Sequence, residues 1–135
     1  MKKARKAAGA GLCPCGSGLS YALCCGRLHA GAAAPDARAL MASRYSAYAL
    51  GLEDYVRETW DPEHCPESLD LKQDPIRWLG LEILRFEETD PESAVVEYVA
   101  RGRPGGGSAF RLHEVSRFEK RDGRWLYVDG DILDK

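Results

Sequence analysis

The first half of the chain's main body carries apolar side chains at helical spacing. Across residues 36–51 these positions recur every three or four residues, which predicts a helix with one face toward a core. That face is formed by Met41, Tyr45, Tyr48 and Leu52. Asp36 is a favourable first residue and Gly51 a favourable stop, so we expect the helix between them. Residues 53–60 predict a short second helix.

The apolar pattern changes to a period of two from Leu81 onward, which predicts strands. We expect four of them, at residues 81–88, 94–103, 108–120 and 125–131. The turns between them are predicted at Asp90-Pro91, at the glycines of residues 105–107 and at Asp122-Gly123. Asp74-Pro75 predicts either a further helical turn or the entry to a strand. Helices first and strands afterwards indicate an α+β fold with an antiparallel sheet.

Composition fits one soluble domain with a small appendage. The chain has 135 residues, of which 44% are apolar and 30% charged. Its longest apolar run, residues 30–34, is too short to span a membrane, and the basic residues 1–12 lack the apolar centre of a secretory signal. We therefore expect a cytoplasmic protein without membrane contact.

Charge divides the chain into two parts. Residues 1–35 carry five cations and no acid, whereas the rest carries 14 cations and 21 acids. A basic arm on an acidic body can attract nucleic acid, although a few tail cations usually form a solvated end. We expect a protein partner rather than nucleic acid.

Four of the five cysteines, Cys13, Cys15, Cys24 and Cys25, fall within 13 positions. Clustered thiols in a chain without an export signal predict a metal site, since disulfides between two such close pairs would be strained. Four thiolates form the closed tetrahedral site of structural Zn²⁺, which leaves no position for water or substrate. His29 could replace one cysteine as a ligand, and reduced cysteines without metal are the plain alternative.

The residues between the cysteines support a metal-binding turn. Gly16 and Gly18 permit tight turns whose amides face the sulfur atoms, and residues 19–23 have helical spacing that carries the second cysteine pair back toward the first. So short a segment has almost no core, so metal binding would supply most of its folding free energy, on the order of 10 kcal/mol.

Residues 13–26, CPCGSGLSYALCCG, resemble the SEC-C motif, a zinc module found at the C-terminus of the translocase ATPase SecA and in many small bacterial proteins. Cys25 stands where the SecA version has a histidine, a change that keeps a zinc ligand. Leu19 and Ser20 stand where the motif commonly has lysines. The resemblance implies zinc binding and a protein or ribosomal partner, and the missing lysines weaken the case for that partner.

The resemblance extends through the body of the chain, over about residues 12–131. The segments RYSAY at 44–48, RWLGLEIL at 77–84, HEVSRF at 113–118 and GRWLYVDG at 123–130 resemble the bacterial YchJ family. In that family a SEC-C module precedes a domain similar to nuclear transport factor 2, a cone of helices on a curved sheet. The resemblance implies an architecture and brings no biochemical activity.

We therefore expect four consecutive regions along the chain. They are a basic tail at residues 1–11, the SEC-C module at 12–29, a linker at 30–35 and the cone-shaped domain at 36–135.

The third predicted strand carries candidate chemistry for a pocket in the cone. Alternation places Glu114 and Ser116 on a face that is otherwise apolar, formed by Phe110, Leu112 and Phe118. A buried carboxylate needs a partner or a raised pKa, which is typical of an active site. We favour a structural role instead, in which Glu114 caps a helix amide or pairs with Arg44 or Arg77. Tyr45 and Trp60 are candidate pocket walls.

Other polar groups have weaker patterns. His113 follows the opposite strand face from Glu114, so we do not expect the two to work together. His64 and Cys65 are adjacent in a proline-bounded loop without a third group to orient them, and we interpret them as surface residues.

Two hypotheses follow from these residues. The first is a non-enzymatic adaptor whose structural zinc module docks a protein or ribosomal partner. The second is a small enzyme or small-molecule-binding protein that uses the cone pocket around Glu114, with an unknown ligand.

Overall fold

The computed structural model describes residues 11–69, 71 and 75–133. Within these described residues a 3₁₀ turn, Tyr21–Leu23, precedes three helices and four strands. The helices are α1 (Cys25–His29), α2 (Ala37–Leu50) and α3 (Glu53–Glu58). The strands are β1 (Ile76–Asp90), β2 (Ser93–Pro104), β3 (Phe110–Arg121) and β4 (Arg124–Leu133). Among these residues no helix is both long and apolar enough to cross a membrane.

Helix α2 begins and ends where the sequence predicts. The Asp36 side chain accepts a hydrogen bond from the Ala39 amide at 2.8 Å, so it caps the first turn. Gly51 ends the helix in the left-handed region at φ 75°, and its amide bonds the carbonyls of the last turn. The predicted second helix is α3, which ends two residues earlier than residue 60.

The four strands form one antiparallel sheet in the order β1-β2-β3-β4. Helix α2 packs on one face of the sheet, and apolar side chains of both the helix and the strands build the shared core. Its buried members include Ala37, Leu40, Met41, Tyr45, Val96, Tyr98, Phe118 and Trp125. This arrangement confirms the predicted α+β class.

The opposite face of the sheet is polar and carries ion pairs. Glu97 lies between Arg85, at 3.3 Å, and His113, at 2.7 Å. Arg117 pairs with Asp129 at 2.6 Å. The alternation predicted for the third strand is confirmed, because His113 lies on this face while Glu114 is buried on the other.

β1, β2 and β4 are longer than the sequence pattern predicts, whereas β3 begins at Phe110, two residues later than predicted, and ends at Arg121. β1 begins directly after Pro75, earlier than the predicted start at Leu81. The sequence pattern misses these first residues because register shifts between Trp78 and Gly80 and between Ile83 and Arg85 interrupt the alternation of the strand. Residues 1–10 of the predicted tail, and Asp74, lie outside the described residues.

Candidate functional sites

The four clustered cysteines lie together at the N-terminal end of the described chain. The loop before the 3₁₀ turn supplies Cys13 and Cys15, and the residues after that turn supply Cys24 and Cys25. Their Sγ atoms all lie within 4.8 Å of one another. A tetrahedral Zn²⁺ site with Zn–S bonds of about 2.3 Å has S–S edges of about 3.8 Å. The Cys15 and Cys24 sulfurs, 3.6 Å apart, match such an edge, so the donor set fits zinc.

The loop backbone is shaped by two glycines. Gly16 and Gly18 have φ values of 85° and 87°, a region that costs glycine little, so the predicted tight turns are confirmed. The Cys13 amide donates to the Leu19 carbonyl at 2.9 Å, which closes the loop. Ser17 Oγ lies 3.1 Å from the Cys24 sulfur and gives it a polar neighbour.

The cysteine cluster also contacts helix α2. Cys13 and Cys25 are 5% and 2% exposed, and the Cys13 sulfur lies 3.5 Å from Ser46 Oγ on that helix. The thiols interact with one another: hydrogen bonding from Cys25 lowers the pKa of Cys15 to about 4, and the same contact raises the pKa of Cys25. The cluster thus favours a thiolate, which is the form that binds metal.

His29 lies outside the sulfur cluster, and both of its ring nitrogens are occupied. Nε2 donates to the Ser43 carbonyl at 2.8 Å, so Nδ1 accepts the Tyr21 hydroxyl hydrogen bond at 2.6 Å. The Tyr55 ring packs edge-on against the imidazole. His29 therefore fastens α1 to α2 and is not placed to substitute for a cysteine.

A second candidate site is a cavity of about 280 Å³ between α2 and the sheet. It is lined by Met41, Arg44, Tyr45, Tyr48, Trp60, Trp78, Tyr98, Ala100, Leu112, Glu114 and Tyr127. Six of these side chains are aromatic, and one carboxylate and one guanidinium supply the charge. The structure therefore places the predicted residues Glu114, Tyr45 and Trp60 around one space.

Three hydroxyl groups hold the Glu114 carboxylate. Tyr98 donates to Oε1 at 3.1 Å, while Tyr127 and Ser116 each donate to Oε2 at 2.7 Å. Burial is the larger cause, and the nearby Glu114 charge the second, of the raised pKa of Tyr98 and of Tyr127. Both side chains therefore remain hydrogen-bond donors at neutral pH. The fourth predicted residue, Ser116, therefore supports Glu114 and does not itself line the cavity.

The expected pairing of Glu114 with an arginine is wrong. Among the described residues Glu114 forms no ion pair, Arg77 is exposed, and Arg44 is bound elsewhere. Arg44 Nη1 donates to the Val56 carbonyl at 2.9 Å and to a second acceptor on the same segment. The three hydroxyl groups supply the hydrogen bonds that a buried carboxylate needs, so Glu114 is satisfied without an ion pair.

Arg44 is a cavity residue that sequence reasoning names only as a partner for Glu114. It is 4% exposed, and its guanidinium carbon lies 5.0 Å from the Trp60 ring centre and 4.6 Å from that of Tyr127. Burial lowers its pKa. A charged residue within an otherwise apolar helix stretch is the one signal in the sequence that could have marked it.

The loop after α3 holds a separate polar group. Asp61 accepts a hydrogen bond from Arg121 at 2.5 Å and contacts His64 Nδ1 at 2.5 Å. Its amide donates to the Tyr127 carbonyl, which anchors the loop beside the cavity wall Trp60. Cys65 lies in this loop, apart from the four-cysteine cluster.

Known families match both parts of the chain. Residues 12–27 match the SEC-C motif, and residues 36–130 match the family described as the YchJ middle NTF2-like domain. The chain belongs to the YchJ family. The described cysteine cluster is the part of the family's SEC-C motif that is compatible with metal binding.

Relatives of the family extend over almost the whole chain. A UPF0225 protein of Chromobacterium violaceum is 54% identical, with 96% of this chain and 98% of the relative covered. A UPF0225 protein of Bordetella pertussis is 51% identical, with 89% and 92% covered. The solution structure of a SEC-C motif containing protein from Rhodopseudomonas palustris is similar with a TM-score of 0.76 at 39% identity, and covers 90% of this chain and 98% of that one.

Proposed function

We propose that the chain is a non-enzymatic adaptor in which a structural Zn²⁺, bound by Cys13, Cys15, Cys24 and Cys25, holds a protein-docking module in shape. The observation that carries this proposal is the closed set of four sulfurs within 4.8 Å. Protein ligands would fill every tetrahedral position, so the metal would have no open position for water or substrate and would act only as a fold element.

Exposed leucines on the zinc module support a protein partner. Leu12, Leu19 and Leu23 are 51%, 52% and 65% exposed, which is unusual for large apolar side chains in so small a segment. Leu19 stands at a position where a lysine would favour phosphate. An apolar side chain there favours a protein surface, including that of a ribosomal protein, over the RNA backbone.

The metal is tested first on purified protein. We expect one zinc per chain by elemental analysis, and cobalt replacement should give the absorption of a tetrahedral four-sulfur site. Cys65→Ser is the matched control, since Cys65 lies outside the cluster. A metal content that is unchanged in Cys24→Ser would refute the ligand set.

The docking role is tested by comparing two leucine variants in affinity capture from a bacterial lysate. Leu23→Ser changes the module surface, whereas Leu84→Ser changes a leucine of β1 that is 46% exposed. We expect a specific protein partner that Leu23→Ser loses, that Leu84→Ser keeps and that chelation releases. A partner captured equally by both variants, or no partner at all, would contradict the adaptor proposal.

The second candidate function is binding of a small molecule in the cavity. Its support is the pair of buried, opposite charges, Arg44 and Glu114, that line one space without contacting each other. Buried charges at an apolar cavity are typical of ligand sites. An enzyme that uses Glu114 as a base is the alternative at the same site. Three hydroxyl donors already occupy that carboxylate, which favours binding over proton abstraction.

The choice between binding and catalysis is testable with Glu114→Gln, which keeps the shape of the side chain. If the cavity is a binding site, we expect both the native chain and this variant to bind a ligand and to release it without chemical conversion. Conversion of that molecule by the native chain, lost in Glu114→Gln, would establish the enzyme instead.

A further inference from the structure

One edge of the Arg44 guanidinium has no partner among the described residues. The Val56 carbonyl and Thr59 Oγ1 both bind Nη1, at 2.9 and 2.8 Å, which leaves the edge formed by Nε and Nη2. Stacking on the Trp60 and Tyr127 rings fixes the plane of the group. The Nε and Nη2 hydrogens form the parallel pair of donors that binds a carboxylate with two hydrogen bonds.

A second unused donor belongs to a wall of the same cavity. Trp60 Nε1 is the one buried side-chain nitrogen or oxygen without a hydrogen-bond partner among the described residues. That nitrogen is shielded from the space of the cavity, so it does not itself receive a ligand. The Trp60 ring lies 5.0 Å from the Arg44 guanidinium carbon, so a ligand bound by Arg44 would disturb the indole signal.

The other residues that line the cavity determine which apolar group and which net charge a ligand can have. Rings of Tyr45, Tyr48 and Trp78 provide flat apolar walls, and about 280 Å³ is at the small end of ligand pockets. Arg44 is the single cation of this lining, and Glu114 is an anion in it. One guanidinium can neutralise one negative charge of a ligand, and the Glu114 carboxylate would repel a second, which disfavours dicarboxylates and doubly charged phosphate monoesters.

We propose that the cavity binds a small monocarboxylate with a flat apolar body, and that the free edge of Arg44 receives its carboxylate group. This inference rests on the second proposed function, small-molecule binding in the cavity. In it the aromatic walls hold the apolar body, and Glu114 limits the ligand to one negative charge.

Three probes of one shape test the charge preference: 3-phenylpropionate, 3-phenylpropanol and 3-phenylpropylamine. Each is titrated into the zinc-loaded full chain, and the indole N–H signals are followed by ¹H–¹⁵N NMR, with the Trp60 signal assigned from Trp60→Phe. We expect 3-phenylpropionate to move the Trp60 signal and to bind about tenfold more tightly than the alcohol, since hydrogen bonds to charged groups are the strong ones.

Variants locate the carboxylate. Arg44→Lys keeps the charge and removes the two-donor edge, so we expect binding of 3-phenylpropionate, measured by calorimetry, to weaken about tenfold. Arg77→Lys makes the same change at an exposed position of β1 and should have no effect. Because Arg44 also holds α3, the comparison of the three probes on the native chain is the test that does not depend on the folding of a variant.

The other outcomes overturn the proposal in distinguishable ways. Equal binding of all three probes would refute carboxylate recognition while leaving small-molecule binding in place. Tighter binding of 3-phenylpropylamine would make Glu114 the recognition group and refute the role of Arg44. If no probe moves the Trp60 signal up to its solubility limit, the monocarboxylate site is refuted, and the second proposed function keeps only the geometry of the cavity as its support.

Discussion

The SEC-C module and the cone cavity collect their polar groups in opposite ways. The module brings four sulfurs together from a stretch of 13 residues, with two glycine turns and a 3₁₀ turn between them. The cavity takes Arg44 from α2, Tyr98 from β2, Glu114 from β3 and Tyr127 from β4. The first is a local site that a metal can complete, and the second exists only after the sheet has formed.

Because of this difference, different interactions stabilise the module and the cavity. The module contributes little to the buried core, so on the zinc proposal its fold depends on the metal, whereas the cavity groups are held by long-range hydrogen bonds on a packed sheet. A change in the module should therefore abolish local structure and spare the cone. A change at the cavity should alter the stability of the cone and spare metal binding.

Cys13→Ser is the largest test of this separation. Loss of one ligand removes most of a metal-binding free energy on the order of 10 kcal/mol, so we expect zinc to be lost and residues 12–29 to unfold. The cone should keep its thermal transition, at a temperature a few degrees lower, because the module's contacts to Ser46 and Ser43 are lost with it. Zinc content, circular dichroism and NMR of the same sample measure both effects.

The matched control is Cys65→Ser, which removes a thiol from the loop after α3 and should retain zinc and both transitions. Disappearance of the cone transition in Cys13→Ser would show that module and cone fold as one unit, and the comparison would fail.

Gly130→Ala tests the cavity side of the comparison. A Cβ at this position of β4 would overlap Glu114 Oε2 and come within 2.9 Å of the Val115 carbonyl oxygen. We expect the unfolding free energy of the cone to fall by about 1–3 kcal/mol, with zinc content unchanged. Denaturant unfolding followed by tryptophan fluorescence measures the loss.

Gly80→Ala is the control for that substitution. Gly80 is also in the sheet, and a Cβ there meets no atom within 4 Å. Equal destabilisation by both substitutions would mean that the glycine backbone matters and that Glu114 is not tightly held.

The same contrast explains how far the sequence predicts this molecule. The metal cluster and helix α2 were predictable because their determinants are local: cysteine spacing for one, and the caps Asp36 and Gly51 for the other. The burial of Glu114 followed from strand alternation, but its partners did not. Tyr98 is its cross-strand neighbour in the β2–β3 register, and such a register is set by the whole sheet.

The bounds of β1 and the position of Tyr127 show the same limit. Register shifts in β1, and another in β3 between Arg117 and Phe118, break the period of two on which strand prediction depends. An irregularity that places Tyr127 against Glu114 has no signature in residue type.

Ser116→Ala probes one hydrogen bond of the cavity at a time. Ser116 is 1% exposed and donates to Glu114 Oε2, while Tyr127 donates to the same oxygen. Because that oxygen keeps one donor, we expect a loss of only about 1 kcal/mol in the unfolding free energy. Tyr127→Phe in the same background should then cost more than it does alone, measured as a double-mutant cycle. Additive losses would show that the two hydroxyls act independently.

The smallest expected effect lies in the loop beside the cavity, where Asp61 joins Arg121 and His64. The hydrogen bond to Asp61 raises the pKa of His64. Hydrogen bonds from Arg121, the larger cause, and from His64 lower the pKa of Asp61. The His64 contribution is therefore complete below its unfolded pKa, near 6.5, and is lost as pH rises through the raised folded pKa. The Asp61 contribution is present above about pH 3.9 and is lost as pH falls through its lowered folded pKa.

An NMR titration of the His64 ring measures this coupling directly. We expect its midpoint to lie above the ordinary value in the native chain and to return to that value in Asp61→Asn, since the neutral amide no longer favours the imidazolium. Glu63→Gln changes a neighbouring acid without removing the hydrogen bond and should shift the midpoint only slightly. A midpoint at or below the ordinary value would mean that the Asp61 and His64 side chains do not interact. The cavity wall that carries Trp60 would then be anchored by the backbone hydrogen bond from the Asp61 amide to the Tyr127 carbonyl.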